Sequence, residues 1–341
     1  MICHSANEGP EPAEINISPI ASSQRSFING FRTYVSAPRI PTFSDMSKRF
    51  ANLLSVPSKE EINACWDLCR LNNHMGCWTT WLPTSWALAM VYHAQPQIPG
   101  TLALLWGAKY LVLCSGVKSL IMTIDDVLDH DIDSQVTRTK SRAIPRGSIS
   151  LDRAWLFFSI QIILGVYLAR TLLDPVSSAF GLAVFPIFIV YPTCKRWMYF
   201  APIPLGLMFT VGVFMGWSTL DTTRHIPYEI LLPIFVGGCF WVWTYETIYQ
   251  HMDKEDDVKI GIKSAALLCG KYTLPVCSAT ATVFFGLLAY GGYLNGHSLP
   301  FFAGLLLAAD FFLQTPMIGQ VVLAGFVADA IIARVTNGIA L

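Results

Sequence analysis

The chain has 341 residues, and its 23 basic and 23 acidic residues give a formal net charge of +0. Charged residues make up 13% of it, against about 25% in soluble proteins, and the mean hydropathy is +0.47. This composition excludes an ordinary soluble domain. We expect a protein embedded in the lipid bilayer, with no nucleic acid among its partners.

The first part of the chain differs from the rest. Residues 1–64 are rich in Ser, Pro and Asn and hold no apolar run of signal-peptide length, which predicts a disordered cytosolic tail. Glu8, Glu11 and Glu14 precede the first arginine, Arg25, whereas a mitochondrial presequence is rich in Arg and poor in acids. We therefore expect a membrane of the endoplasmic reticulum, with the mitochondrial inner membrane as the less favoured alternative.

Residues 65–341 contain uncharged stretches long enough for helices of about 20 residues. Strand-period segments, tandem repeats and a soluble second domain are not found in the sequence. The predicted fold class is all-α, a polytopic membrane bundle of eight or nine transmembrane helices in one domain. The predicted spans lie near 78–94, 101–123, 151–172, 175–192, 198–217, 228–249, 273–294, 298–315 and 317–337.

The charges of the loops predict an orientation. Basic residues are concentrated after the second, fourth and sixth predicted spans, whereas the connections on the opposite face hold Arg170 and Arg224 alone. Because basic loops stay on the cytoplasmic side, the loops after these three spans are expected to be cytosolic. Two acidic clusters lie in these loops and are expected on the same face.

The first acidic cluster, Asp125 to Asp133, directly follows the second predicted span. If that span continues as a helix, Asp126, Asp129 and Asp133 fall at i, i+3 and i+7 on one face, and Asp131 lies off it. Carboxylates at a membrane surface are costly unless a cation offsets them, and Mg²⁺ takes carboxylate, water and phosphate oxygens. The cluster therefore predicts a site for a metal-bridged diphosphate, and the alternative is a solvated acidic loop.

The second acidic cluster repeats this pattern about 120 residues later. Glu246, Tyr249, Asp253 and Asp257 fall at i, i+3, i+7 and i+11 on one continuing helix face. Two such faces opposed across a bundle would form a two-metal clamp. An acidic surface at a helix end is the alternative.

With both clusters, the chain resembles the UbiA-type intramembrane aromatic prenyltransferases, the 4-hydroxybenzoate polyprenyltransferase superfamily. The family motif NDxxDxxxD is matched from Asp125 to Asp133, with Asp125 in place of Asn. The motif DxxYxxxDxxxD is matched from Glu246 to Asp257, with Glu246 in place of Asp. Both departures keep an oxygen ligand, so the resemblance still implies the family's reaction class.

Two shorter segments extend the resemblance over about residues 65–300. Arg70-Leu71 resembles the start of the segment RLxxPxG, in which Met75 stands where the family has Pro. Tyr191-Pro192 with Lys195-Arg196 resembles the family turn YPxxKR. The departure at Met75 concerns the expected acceptor pocket, and it leaves the identity of the aromatic substrate open.

The resemblance implies Mg²⁺-dependent transfer of a polyprenyl group to a carbon of an aromatic phenolic acid, with farnesyl diphosphate favoured as donor. Asp126, Asp129, Asp253 and Asp257 are expected to be essential, and Tyr249 to face the allylic cation. The full implied metal-ligand set is Asp125, Asp126, Asp129, Asp133, Glu246, Asp253 and Asp257. The cations implied for substrate binding are Arg70, Lys118, Arg138, Lys140, Arg142, Lys195, Lys259 and Lys263.

Several alternatives remain. Arg70 is expected to hold the carboxylate of the acceptor, or else to anchor its helix at the headgroups. The acidic tail and the altered segment after Arg70 favour a farnesyltransferase of fungal meroterpenoid pathways, and the alternative is the 4-hydroxybenzoate enzyme of ubiquinone biosynthesis. Outside this class, a membrane terpene cyclase or diphosphatase would share the metal motifs. A transporter would place its charges at mid-membrane, where the sequence offers few.

Overall fold

The computed structural model describes residues 53–73, 75–310 and 315–339. The chain divides into two compact units, Met1–Ser55 and Val56–Leu341, and the architecture below is that of the second unit. Most of the predicted tail, together with His74, lies outside the described residues. All regular elements of the described residues are helical. In chain order they are α1 (Lys59–Cys69), α2 (Met75–Ala94), α3 (Gly100–Leu128), α4 (His130–Asp133), α5 (Leu151–Leu172), α6 (Pro175–Trp197), α7 (Pro202–Thr210), α8 (Gly212–Leu220), α9 (Tyr228–Gln250), α10 (Lys254–Ile260), α11 (Ala265–Cys269), a 3₁₀ turn (Gly270–Tyr272), α12 (Thr273–Leu294), α13 (Leu299–Asp310) and α14 (Thr315–Thr336).

Helix α1 begins at Lys59, within the segment 1–64 that the sequence predicts to be a disordered tail. The Ser58 hydroxyl accepts a hydrogen bond from the Glu61 N–H at 3.1 Å, and the Glu61 carboxylate accepts one from the Ser58 N–H at 3.0 Å. This reciprocal capping box satisfies two N–H groups that a helix start otherwise leaves unpaired. The helix then buries Ala64 and Leu68 against the rest of the unit.

The protein is an all-α polytopic membrane bundle. Six helices of the described residues are long and apolar enough to cross a bilayer, and they lie at Leu151–Leu172, Pro175–Trp197, Pro202–Leu220, Tyr228–Gln250, Ala265–Leu294 and Gly319–Thr336. Each of the nine predicted spans corresponds to a helical segment. The described part of the predicted span 298–315 is α13, whose 12 residues rise about 18 Å, and residues 311–314 of that span lie outside the described residues.

Small residues let the helices approach closely around α2. Helix α2 packs against α3, α8 and α14, and α9 packs against α7 and α12. A Cβ atom added at Gly212 would lie 2.1 Å from the Thr84 hydroxyl oxygen, and one at Gly216 would lie 2.3 Å from the Thr84 carbonyl oxygen. Close backbone packing of this kind replaces the hydrophobic driving force that membrane helices lack. The predicted span 198–217 corresponds to α7 and α8, which Val211 joins with helical angles, φ −53° and ψ −26°.

Candidate functional site

Both acidic clusters lie where a long helix ends, and the two continuous faces predicted for them are wrong. Helix α3 ends at Leu128. Asp129 has non-helical angles, φ −101° and ψ 5°, and the chain becomes helical again in α4. Asp253 makes a similar break between α9 and α10, with φ −107° and ψ 4°. Carboxylates stacked on one helix face would repel each other. The breaks instead direct individual carboxylates toward different cations.

In the first cluster, Arg142 joins two carboxylates. Its Nη1 lies 2.6 Å from Asp133 Oδ2 and 3.2 Å from Asp126 Oδ1. Asp126 is buried, and it also pairs with the Arg70 guanidinium, which lies 3.7 Å from Asp125 Oδ2. A buried carboxylate is tolerated only with such charged partners. Arg70 therefore belongs to the carboxylate cluster, which leaves it poorly placed for the acceptor role expected above.

Asp129 and Asp131 point to different partners. Asp129 is fully buried and pairs with Lys195 of the α6 end. Asp131 is exposed, and Arg196 holds it with two hydrogen bonds of 2.9 and 2.7 Å. The Arg196 hydrogen bonds lower the pKa of Asp131 to about 2. Thus Lys195 pairs with the buried carboxylate of Asp129, and its neighbour Arg196 holds the exposed carboxylate of Asp131.

The loop after the first cluster contacts the second cluster. Arg138 holds Asp253 bidentately, with Nε at 2.8 Å from Oδ1 and Nη2 at 2.5 Å from Oδ2. The Arg138 guanidinium also lies over the ring of Tyr249, at 5.9 Å from its centroid. Burial raises the pKa of Asp257 to about 6. The two clusters, far apart in sequence, therefore form one site.

A cavity of about 490 Å³ lies between the clusters. Five carboxylates line it, and they are Asp125, Asp133, Glu246, Asp253 and Asp257. Six cations line it as well, and they are Arg70, Lys118, Arg138, Arg142, Lys195 and Lys263. Its remaining wall includes apolar and aromatic side chains, among them Met122, Tyr191, Leu205, Phe209 and Tyr245. The cavity therefore offers a charged part and an apolar part to one elongated ligand.

Lys118 is the least expected of the cations that line the cavity. Its side chain is 3% exposed, and its Nζ donates to the Cys69 carbonyl at 3.0 Å and to the Arg70 carbonyl. Both acceptors are main-chain groups at the left-handed turn that ends α1, where Arg70 has φ 47°. Gly76 leaves the room for its stem, because a Cβ there would lie 3.0 Å from Lys118 Cγ. An ammonium has three donors, so the third remains for a ligand.

The lining residues fit Mg²⁺. The donors offered are carboxylate oxygens, and Cys and His are missing from the described residues that line the cavity. Hard oxygen ligands select Mg²⁺ over softer ions, which prefer sulfur and imidazole nitrogen. Asp125, Asp133, Glu246, Asp253 and Asp257 are the residues placed to hold it.

Four predicted residues are not among those that line the cavity. Asp126 and Asp129, both predicted to be essential and to bind metal, are buried against Arg70, Arg142 and Lys195 instead. Lys140 is exposed, and Lys259 is exposed and pairs with Asp256 at 3.1 Å. Sequence reasoning in turn missed Gln250, whose side chain donates to Glu246 at 3.4 Å and accepts from the Ala265 N–H at 2.8 Å. No sequence signal marked Gln250, because a single amide at a helix end is common.

Comparison with known proteins gives concordant matches. The model of the UbiA prenyltransferase family matches residues 80–316. The human protein named 4-hydroxybenzoate polyprenyltransferase, mitochondrial, is 34% identical over 245 residues, which are 70% of this chain and 62% of the relative. The protein of the same name from Schizosaccharomyces pombe is 30% identical over 308 residues, 84% of each chain. The chain thus spans about 62% of the length of the human relative.

Solved structures share the fold. A UbiA homolog from Archaeoglobus fulgidus bound to GPP and Mg²⁺ superposes with a TM-score of 0.60 at 18% identity, over 79% of this chain and 99% of the other. A UbiA homolog from Aeropyrum pernix K1 gives a TM-score of 0.59 at 22% identity, over 76% and 98%. At such identities the likeness concerns the architecture alone.

Proposed function

The chain belongs to the UbiA prenyltransferase family, and we propose that it transfers a polyprenyl group from its diphosphate to a ring carbon of a phenolic acid. The observation that carries this proposal is the cavity in which five carboxylates face six cations beside an apolar wall. An anionic, metal-bridged head group and an isoprenoid chain are the two halves of such a donor. The Archaeoglobus fulgidus homolog, described as bound to GPP and Mg²⁺, supports the same assignment.

The charged part of the cavity would promote departure of the diphosphate. Mg²⁺, when bound by the lining carboxylates, would neutralise the diphosphate and make it a better leaving group. Arg138, Arg142, Lys195 and Lys263 are placed to hold phosphate oxygens as charge develops on them. Arg142 and Arg138 are themselves fixed by Asp133 and Asp253, so they are oriented before the donor binds.

The aromatic part would accommodate the allylic cation. Tyr191, Tyr245 and Tyr249 line the same cavity, and the negative face of an aromatic ring attracts a cation. The bundle would shield the cation from water, which otherwise captures it. The bond between C1 and the diphosphate oxygen breaks and leaves its electron pair on the diphosphate, the ring carbon of the acceptor bonds to C1, and the released diphosphate takes the ring proton, which restores aromaticity.

Lys118 would hold the acceptor. Lys118 lines the cavity and has one donor beyond its two main-chain hydrogen bonds, whereas Arg70, the earlier candidate, is paired with Asp126 and Asp125. A charge-assisted hydrogen bond to the acceptor carboxylate would orient the phenol ring toward the donor. This assignment follows from the contacts of the two side chains.

There are two candidates for the aromatic acceptor. The names of the relatives favour 4-hydroxybenzoate, the alternative in the sequence analysis, over a meroterpenoid-pathway acid. One observation supports the second candidate. Asn73 lines the cavity, and it lies two residues before Met75, which stands where the family has Pro. We therefore propose 4-hydroxybenzoate as the first acceptor and a polyketide-derived phenolic acid as the second.

A product assay tests these proposals. Membranes that carry the full chain would receive geranyl, farnesyl or geranylgeranyl diphosphate with each acceptor, and mass spectrometry would identify the products, with Asp253→Asn as the inactive control. Prenylated 4-hydroxybenzoate supports the first candidate. A prenylated polyketide acid alone supports the second. Terpene hydrocarbon or alcohol formed at the same rate without acceptor would overturn aromatic transfer.

The organelle is a separate proposal. The protein is an integral membrane protein, and the relatives above are named mitochondrial. The acidic residues before Arg25 support the endoplasmic reticulum instead. Fractionation of cells that express the native N-terminus tests this, since recovery with mitochondrial inner-membrane markers would refute the endoplasmic-reticulum location.

A further inference from the structure

A second cluster of ligand-type side chains lies at the end of α2 remote from the cavity. Gly76, near the start of α2, lines the cavity, whereas His93 lies 17 residues further along the same helix. At a rise of about 1.5 Å per residue the two positions are about 25 Å apart. There the ligand atoms of His93, His297 and Asp329 lie within 4.8 Å of one another.

His93 presents a buried nitrogen that lacks a hydrogen-bond partner. Its Nε2 lies 3.2 Å from the Gly296 carbonyl oxygen, to which it donates, so Nδ1 carries the lone pair. Nδ1 is buried, makes no hydrogen bond, and lies 3.5 Å from Asp329 Oδ2. The side chain is 10% exposed. Two buried electron-rich atoms that face each other are unfavourable unless a cation lies between them.

The distance between His93 Nδ1 and Asp329 Oδ2 suits one tetrahedral metal ion, whereas the rings of His93 and His297 lie 4.1 Å apart between centroids and must turn away from each other for both to bind it. Zinc bonds of about 2.0–2.2 Å to nitrogen and oxygen place two ligand atoms roughly 3.4 Å apart, close to the distance between His93 Nδ1 and Asp329 Oδ2. His297 Nδ1 is 2.7 Å from the same oxygen, so this pair must open by less than about 1 Å to admit the metal. The metal then replaces the proton that His297 Nδ1 donates to Asp329.

Neighbouring groups already orient two of the three ligands. The Gly296 carbonyl fixes the ring of His93 through Nε2, as main-chain carbonyls do for metal-bound histidines. The Ser298 N–H donates to both oxygens of Asp329, at 3.2 and 3.1 Å. Gly296 and Ser298 are exposed, which gives an ion a short path from solvent. On the third ligand, His297 Nε2 accepts from the Asn295 amide at 3.1 Å. When a metal at Nδ1 moves the proton to Nε2, that amide must turn and give up its hydrogen bond to the Met90 carbonyl.

We propose that His93, His297 and Asp329 bind a zinc ion that joins the end of α2 to α14 and to the loop before α13. Two imidazoles and one carboxylate favour zinc over Mg²⁺, which takes oxygen ligands. The site is separate from the prenyl-transfer cavity and contributes no atom to the proposed reaction. Its effect is to hold α14 and the loop before α13 against α2, because the three ligands come from α2, from that loop and from α14.

Metal analysis of the full chain tests this proposal. The protein, purified in detergent with a tag free of histidine, is treated with EDTA, incubated with zinc chloride and desalted. Mass spectrometry of the metal should find about one zinc per chain, the stoichiometry of a single site. His93→Gln should lose at least four fifths of it, whereas His225→Gln, an exposed histidine outside the cluster, should keep it. Zinc-free wild type, or equal zinc in His93→Gln and wild type, would overturn the proposal.

Three further measurements distinguish loss of the zinc site from misfolding of the variant. Cobalt added to the metal-free wild type should give the visible absorption of tetrahedral coordination, and silent spectra would count against the site. Zinc should raise the thermal midpoint of wild type and leave that of His93→Gln unchanged, as expected for a ligand that binds the folded state. Asp253→Asn should retain zinc, because its carboxylate lies in the other site; loss of zinc in Asp253→Asn would place the ion in the cavity and refute a second site.

Discussion

Replacement of Lys118 by methionine should weaken binding of the acceptor specifically. Methionine keeps the stem that packs against Gly76 and removes the ammonium, with its hydrogen bonds to the Cys69 and Arg70 carbonyls. A hydrogen bond to a charged group contributes about 1.5–3 kcal/mol, and about 1.4 kcal/mol is tenfold, so the KM for the phenolic acid should rise roughly 10- to 150-fold. The donor KM should change by less than about threefold, because only acceptor binding is lost.

The assay is steady-state prenyl transfer in membranes, with each substrate varied at saturation of the other. Lys109→Met is the matched control, since Lys109 lies on the same helix, is exposed, and stacks on Trp106 at 4.3 Å from the ring centroid. A neutral amide analogue of the acceptor separates charge recognition from loosening of the turn at Arg70. With that analogue, Lys118→Met and wild type should have similar KM values. An unchanged KM for the acid, or an equal rise for the donor, would refute the assignment of Lys118.

Three further predictions concern metal, charge and packing. Activity should be lost in EDTA and return when Mg²⁺ is added, because the cavity offers oxygen donors. The activity restored by Mn²⁺ and by Zn²⁺ is measured in parallel. Asp253→Asn should lower kcat by about two to three orders of magnitude, the scale of losing an electrostatic stabiliser. Asp131→Asn loses only an exposed ion pair, so the variant should lose at most about 1 kcal/mol of stability. Gly216→Ala should lower the thermal midpoint in detergent, because overpacking costs about 1–3 kcal/mol, whereas Gly165→Ala, where a Cβ meets open space, should not.

Each of these has a contrary outcome. Full turnover in EDTA would exclude the metal-bridged donor. Equal losses of kcat in Asp253→Asn and Asp131→Asn, measured at equal protein levels, would mean that a carboxylate lining the cavity matters no more for turnover than an exposed one. An unchanged midpoint for Gly216→Ala would show that α8 can move away from Thr84 at little cost.

The helices were predictable because hydropathy is a local property of the chain. Apolar stretches of about 20 residues must be helical in lipid, where backbone groups find no water, and each predicted span does match a helical segment. Boundaries were less predictable. The capping box at Ser58 starts α1 inside the predicted tail, and the stretch 202–220 is divided into α7 and α8 although Val211 keeps helical angles.

The carboxylates of the candidate site were also predictable, since acids are rare in such a chain and their spacing matches a known motif. Their pairing was not. Whether Arg142 contacts Asp133, or Arg138 contacts Asp253, depends on loops that fold back between helices. The predicted helical faces failed because local periodicity ignores the repulsion between like charges and the cations that relieve it.

From its sequence alone, this chain is recognisable as a membrane helical bundle with two oxygen-rich motifs, since both follow from residue type and short spacing. The tertiary structure alone decides which cations reach the cavity, why Lys118 faces it with carbonyl partners, and how His93 comes to face Asp329 across the bundle. These contacts join residues far apart in the chain. Their energies depend on burial and on distances of a few ångströms, which helix packing sets and local sequence does not encode.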